Sequence, residues 1–195
     1  FTTPFDGNAW QYKMKVKFRG YNRTDTLTNF PALVVFGSHI TNFVYSTFSS
    51  TNGWELRFEN QNETALLNYE FDEWNTNGNS YVWVQVPQLY SNNYVWALWG
   101  NTAYSATSAP SYYAPNRHVW TDVGYVGVWH LKGPAFPPDW SAYPDSAYTN
   151  TALYRSNSES AMPGPWLTYS TNAAVGRGLK FGGKGSGNGD FGQRL

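Results

Sequence analysis

"YVWVQVPQLYSNNYVWALWGN", residues 81–101, is rich in Trp, Tyr and Val and carries no charged residue. Val82, Val84 and Val86 alternate with aromatic and polar side chains, and a period of two is typical of a β-strand. Pro87 cannot donate a backbone hydrogen bond, so we expect it to end this strand or to lie at an edge. The following "NYVWALWGN" then predicts the second arm of a hairpin. The aromatic rings of this hairpin would lie on both faces of the sheet. One face would pack on the core, and a second layer or another subunit must cover the outer face.

Further strands are predicted on both sides of this stretch. "WQYKMKVKFR", residues 10–19, alternates apolar with polar side chains without a fault, which indicates one buried and one solvated face. "FPALVVFG" is a short apolar run, and "WELRFENQNETALLNYEFDEW" contains two strands joined through the polar "ENQNE". No segment shows a convincing helical stripe. The sequence therefore predicts an all-β fold, an antiparallel β-sandwich of jelly-roll-like type with little or no helix.

The composition restricts the classes of partner. Aromatic residues make up 19% of the chain and charged residues 13%, whereas about 25% of residues are charged in a typical soluble protein. The thirteen basic and thirteen acidic residues cancel, so phosphate neutralisation gives no basis for nucleic-acid binding. No run of 18 apolar residues predicts a transmembrane segment. Cysteine is absent, which excludes disulfides and thiolate metal sites.

The two ends of the chain lead to expectations about processing and domains. The chain starts at Phe1 without a charged-then-apolar leader, which we interpret as a mature secreted segment, extracellular or at the cell surface. "GYVGVWHL", residues 124–131, predicts one more strand, and "GLKF" another, but Pro-rich and Gly-rich stretches surround them. We therefore predict a β-sandwich domain over residues 1–125 and an incomplete second domain or extension over 126–195.

Several blocks occur together in the order found in one known family. "LTNFPALVVF", "WELRFEN", "LLNYEFDEWN", "YVWVQVPQL" and "YVWALWGN" resemble the secreted prokaryotic domain of unknown function 2341, over roughly residues 8–125. "VWHL", "DSAYTN" and "GRGLKF" resemble the beginning of a concanavalin A-like (LamG-type) jelly roll. The resemblance implies a β-sandwich in a modular extracellular protein. It implies no catalytic residues, since the family has no established activity.

The acidic residues Glu70, Asp72 and Glu73 are the candidate catalytic group. Alternation along a strand predicts that Glu70 and Asp72 share one face and that Glu73 points to the other. Carboxyl groups about 5 Å apart suit a retaining glycosidase. The preferred interpretation is a solvated strand face, or an ion pair with the lysines of residues 13–17, because exposed carboxylates are the rule.

Asp145 and Asn150 are the candidate metal ligands, because they offer the hard oxygen atoms that calcium needs. Concanavalin A-like jelly rolls often bind calcium in loops between strands, so the resemblance implies calcium as the one possible cofactor. The preferred alternative is a turn in which Asp145 acts as a local cap.

The aromatic residues far exceed what a sugar platform of two or three rings requires, so most must lie in a core or an interface. Trp140, Tyr143 and Trp166 differ, because Pro, Gly and Ser surround them in predicted loops. If any ring contacts a carbohydrate or a partner, we expect these three.

Three functions from different classes remain open. The preferred one is a non-catalytic structural or adhesive module of a cell-surface or secreted assembly, whose partners are other copies or neighbouring surface proteins. In its sharper form the chain polymerises into a filament, with "FTTPFDG" or the Gly-rich tail adding a strand to the next subunit. The alternative is a carbohydrate-binding module that contacts polysaccharide. The second alternative is a glycoside-cleaving enzyme that uses Glu70 and Asp72.

Overall fold

The computed structural model describes residues 7–104, 117–121, 124–130, 142–144, 146, 151–153, 167–170 and 178–181. Every helical segment in these ranges is a 3-10 turn of three or four residues. The strands in chain order are β1 (Tyr12–Lys17), β2 (Leu27–Phe36), β3 (Arg57–Glu59), β4 (Tyr69–Glu73), β5 (Ser80–Leu89), β6 (Tyr94–Trp99), β7 (Ala142–Pro144), β8 (Thr151–Leu153), β9 (Leu167–Ser170) and β10 (Gly178–Phe181). The fold is all-β, as the sequence predicts.

The chain divides into two units. One comprises Phe1–Val128 with Ser146–Tyr148, and the other comprises Trp129–Asp145 with Thr149–Leu195. The domain organisation expected from the sequence, 1–125 and 126–195, stays a prediction.

The first sheet has the strand order β1-β6-β3, and both pairings are antiparallel. Met14 and Val16 of β1 pack towards the apolar core, whereas Lys13, Lys15 and Lys17 lie on the opposite face. The alternation of "WQYKMKVKFR" therefore predicted this strand and its two faces correctly.

The second sheet has the order β2-β5-β4, again antiparallel throughout. Val82, Val84 and Val86 of β5 are fully buried on its inner face. Trp83 lies on the outer face, because successive side chains of a strand point to opposite sides. The predicted valine face is confirmed.

The inner faces of the two sheets meet in one hydrophobic core. Phe36 from the second sheet and Phe58 from the first are both fully buried, with their ring centroids 6.3 Å apart. Burying a side chain of this kind contributes about 1.5–3 kcal/mol to folding. Trp74 and Trp99, at strand ends, belong to the same network of ring contacts through Phe48. The two sheets thus form a β-sandwich, and most of its rings are structural.

The predicted hairpin at residues 81–101 is wrong. β5 and β6 are consecutive in sequence but lie in different sheets, and the turn between them places Asn92 in the left-handed region at a φ of 68°. In this arrangement the apolar faces of β5 and β6 oppose one another across the core. In a hairpin they would share one face of one sheet, and another layer would have to cover it. Pro87 lies inside β5 rather than at its end. Its neighbours Val86 and Gln88 pair with β2, whereas Pro87 itself has no register partner in β2 or β4, in keeping with its missing N–H.

The outer rings of this stretch are covered from within the chain. Trp83 packs on Trp120 with the ring centroids 5.3 Å apart, and Trp120 in turn packs on Tyr125 at 5.4 Å. Trp96, on the outer face of the first sheet, lies beneath the ammonium groups of two lysines. A second layer therefore covers the outer face of β5, and long lysine side chains cover that of β6.

The later strands form two small antiparallel pairs, β7 with β8 and β9 with β10. β10 confirms the strand predicted at "GLKF". The strand predicted at residues 124–131 is wrong for its described part, since residues 124–130 form a turn and irregular backbone. Gly124 and Gly127 weaken strand pairing, and Val126 is 83% exposed.

Candidate functional site

A groove of about 910 Å³ opens along one side of the sandwich, between the edge strands β1 and β2. Its lining is apolar and belongs to the edge of the hydrophobic core. Met14, Val16 and Phe18 line the β1 side, and Ala32 and Val34 line the β2 side. Partly buried apolar side chains meet solvent here because β1 ends the first sheet and β2 ends the second. The volume lies towards the upper end of the roughly 300–1,000 Å³ found for ligand-binding pockets.

The backbone of β1 is unpaired on the side facing this groove, as far as the described residues show. Its six residues all pair with β6 on the other side. In an antiparallel ladder every second residue directs its N–H and C=O away from its partner strand. β1 contains no proline, so it presents an unbroken row of donors and acceptors to an incoming strand.

The opposite wall is less able to accept a strand. β2 carries Pro31, which lacks an N–H, and Asn29 has a left-handed φ of 49°. Proline on an edge strand and an irregular backbone both reduce the capacity of an edge for pairing. The groove therefore has one receptive edge, that of β1.

Cationic side chains surround the receptive edge. The Lys15 ammonium lies 4.2 Å from the ring centroid of Tyr94 and 5.0 Å from that of Trp96, so cation–π contacts hold it on the outer face. Lys17 and Arg19 are exposed and also line the groove. Among the described residues that line the groove, none is acidic. The edge thus combines an apolar inner side with a positively charged outer side.

Lys13, at the start of the same row, is already engaged by carboxylates. Its Nζ lies 2.6 Å from Oε2 of Glu63 and 3.7 Å from Oε2 of Glu59. Burial raises the pKa of the Glu59 carboxyl above its ordinary value, with a smaller opposing effect from Lys13 and a further raising effect from Glu63. Because the Lys15 ammonium lies over two rings of β6, Lys17 and Arg19 are the exposed cations that lie beside the groove.

Glu70 does not lie on a solvated strand face, and it makes no ion pair with the lysine row among the described contacts. It is 4% exposed, its Oε2 accepts a hydrogen bond from Trp120 Nε1 at 2.6 Å, and its Oε1 accepts one from Ser146 Oγ at 2.6 Å. A buried carboxylate is tolerable only with such partners. Both oxygen atoms thus take part in a structural network.

The face predicted for Glu73 is also wrong, because a β-bulge interrupts β4. Phe71 pairs with Val82 but Glu73 pairs with Tyr81, which leaves Asp72 as the extra residue of the bulge. Paired residues share a face, so Glu73 lies on the outer face with Glu70, and Asp72 is buried. The spacing i, i+2 on a regular strand, on which the glycosidase hypothesis depends, does not exist here.

The residues predicted to contact sugar or calcium cannot be placed with this site. Trp140, Trp166, Asp145 and Asn150 lie outside the described residues, and for Tyr143 only its position in β7 is described. Within the described ranges, no cluster of three or more His, Asp or Glu side chains could hold a metal ion. These assignments stay predictions.

Sequence reasoning missed the groove, although two of its signals were available. The faultless alternation of β1 identified an apolar and a basic face, and Pro31 marked β2 as an edge strand. What the pattern does not contain is the strand order, which leaves both strands at one side of the sandwich.

Residues 52–112 match the model of the family described as Domain of unknown function (DUF2341). The match covers β3 to β6 and confirms, over that part of the chain, the family resemblance predicted from the sequence. It does not extend to the segment that resembles a concanavalin A-like jelly roll, which stays a prediction. No curated protein and no solved structure matches the chain significantly. None of the helices in the described ranges has the length and apolar character needed to cross a membrane.

Proposed function

We propose that this chain is a non-catalytic structural or adhesive module of a cell-surface or secreted assembly, joined to a neighbouring subunit by strand addition at β1. The observation that carries the proposal is the unpaired edge of β1 beside an exposed rim of the core. A strand added there gains main-chain hydrogen bonds and buries apolar side chains in the groove, which is the usual mode of β-augmentation.

The state of the acidic residues supports a non-catalytic role. A general acid or base must reach the proton that it transfers, whereas both oxygen atoms of Glu70 accept hydrogen bonds from the protein's own side chains. The use of the aromatic rings agrees with this, because those of residues 36, 58, 69 and 71 fill the core rather than a ligand platform. The extracellular location is proposed from the resemblance to a secreted domain family.

A neutral strand peptide tests strand addition itself. We expect a peptide of alternating Val and Thr, blocked at both termini and labelled with an uncharged fluorophore, to bind the purified chain, detected as a rise in fluorescence anisotropy. The peptide has no charge, so its binding depends on the backbone edge and the apolar groove alone. Absence of binding at millimolar concentration would contradict the proposal.

The filament form of the proposal needs a separate experiment, because there the added strand comes from another copy. Size-exclusion chromatography with light scattering of the chain at increasing concentration measures this. A molar mass that rises with concentration supports a filament. A strictly monomeric chain removes the filament form and assigns the strand to a different protein.

The enzymatic alternative is tested by incubating the chain with polysaccharides and measuring reducing ends. We expect none to be released by the wild-type chain. Release that disappears in Glu70→Gln, with the fold intact by circular dichroism, would replace the structural role with a catalytic one.

A further inference from the structure

We infer that the edge of β1 accepts an extended peptide segment in which apolar residues alternate with acidic ones, supplied by a neighbouring protein. The inference rests on the proposed function and specifies the chemistry of the strand that β1 receives.

The apolar half of the pattern follows from the inner face of β1. Met14 and Val16 point towards the core side and line the groove, followed by Phe18. Residues on a neighbouring strand alternate in the same way, so every second residue of the partner enters the groove. The six residues of β1 extend over about 20 Å at roughly 3.3 Å per residue, which suits a partner segment of about six or seven residues.

The acidic half follows from the outer face. Lys15 and Lys17 lie there at alternate positions of β1, and Arg19 continues the row. The Lys15 ammonium lies over the rings of Tyr94 and Trp96 in β6, so Lys17 and Arg19 are the cations nearest to an incoming strand. Side chains directly opposite on adjacent strands have Cβ atoms about 4.5–5.5 Å apart, where unlike charges attract and like charges repel. In the described part of the chain Glu59 and Glu63 form their salt bridges with Lys13, so an acidic partner strand would complement the charges of the rest of the row.

The same row disfavours pairing between two copies of β1. Each copy would place lysines opposite or diagonal to the lysines of the other, and charged side chains on edge strands deter such edge-to-edge association. Residues 1–6 and 182–195 do not carry the complementary pattern either. Residues 1–6 contain one acidic residue, and residues 182–195 contain one acidic and two basic residues.

Three fluorescein-labelled heptapeptides test the inference by fluorescence anisotropy at low ionic strength. They carry Val at odd positions and Glu, Thr or Lys at even positions. We expect the Glu peptide to bind at least about tenfold more tightly than the Lys peptide, with the Thr peptide between them, on the basis of two or three cross-strand charge pairs. Raising the salt concentration should reduce the differences in affinity between the three peptides, because these charges are exposed.

Charge reversal locates the binding. Lys17→Glu should weaken binding of the Glu peptide by about three- to tenfold and strengthen binding of the Lys peptide. Arg23→Glu is the matched control, because Arg23 is an equally exposed base in the turn after β1 and does not line the groove. It should leave both affinities unchanged. Circular dichroism of each variant verifies the fold.

Two results would overturn the inference and leave the proposed function standing. In the first, the three peptides bind with equal affinity, or Lys17→Glu and Arg23→Glu act alike. In the second, the chain alone forms oligomers that Lys17→Glu does not weaken. Failure of all three peptides to bind would instead contradict both the inference and the proposed strand addition.

Discussion

The indole Nε1 of Trp120 donates a 2.6 Å hydrogen bond to Oε2 of Glu70, across 50 residues of sequence. This bond joins the 3-10 turn at Arg117–Trp120 to the outer face of β4, and the ring of Trp120 packs on Trp83 of β5 at the same place. A carboxylate that resembles a catalytic group in the sequence is thereby an anchor for the layer that covers the second sheet.

Trp120→Phe tests the anchor. Phenylalanine retains most of the ring packing but removes the Nε1 donor, and with it one hydrogen bond to a buried carboxylate. We expect the free energy of unfolding to fall by about 1–3 kcal/mol, measured by urea denaturation. Trp96→Phe is the control, because Trp96 Nε1 makes a longer, 3.3 Å bond to the carbonyl of Gln61 at a partly buried site. Equal losses in the two variants would argue against a special role for the Trp120–Glu70 bond.

The aromatic core predicts a large difference between buried and exposed rings. Phe36→Ala should lower the free energy of unfolding by about 3–5 kcal/mol, because the ring is fully buried between the sheets. Tyr90→Ala, at a ring that is 39% exposed, should cost less than about 1 kcal/mol. Chemical denaturation of both variants gives the comparison. If Tyr90→Ala proved as costly as Phe36→Ala, the assignment of the core would be wrong.

The separation of β5 from β6 can be tested by cross-linking, because the chain contains no cysteine. Lys17 and Tyr94 are register partners in the first sheet, so Lys17→Cys with Tyr94→Cys should form an intramolecular disulfide under mild oxidation. In a hairpin of β5 and β6, positions 87 and 96 would be cross-strand partners, but here they lie in different sheets. The double variant Pro87→Cys with Trp96→Cys should therefore form no disulfide. The opposite result in mass spectrometry would restore the hairpin.

The raised pKa of Glu59 predicts a pH dependence of stability. Because burial favours the protonated form in the folded state, the contribution of Glu59 to stability is fully present below its ordinary pKa of 4.5 and is lost as the pH rises through the raised pKa. Glu59→Gln, a neutral replacement, should therefore be more stable than the wild type at pH 7, by on the order of 1 kcal/mol.

The difference in stability between Glu59→Gln and the wild type should shrink as the pH falls towards 4.5. Thermal unfolding of both proteins across this pH range measures the difference. Glu63→Gln is the control, because Glu63 is exposed and its bond to Lys13 is a surface ion pair. A Glu59→Gln variant that loses stability at pH 7 would show that the ion pair with Lys13 outweighs the cost of burial.

Local patterns predicted the strands and their faces well, and long-range partners poorly. Alternation sufficed for β1 and for the valines of β5, because a period of two follows from strand geometry alone. It failed for Glu73, because a single bulged residue, Asp72, reverses the faces that follow it.

The groove and the Glu70 network could not be predicted for a different reason. Glu70 finds its partners 50 and 76 residues away, and no periodicity encodes such a contact. The groove depends on which strands end the two sheets. Composition indicated that the rings are structural, but only the strand order shows where the sandwich is open.

Residue-resolved hydrogen exchange of the β1 amides by NMR measures whether the edge at Tyr12–Lys17 is open, which strand addition at β1 requires. In the isolated chain we predict alternation, with every second amide of β1 protected by β6 and the amides between them exchanging fast. Saturation with the Val–Glu peptide should slow the fast amides and leave the protected ones unchanged. Uniform protection of β1 in the isolated chain would show that the edge is already covered, and would contradict the account.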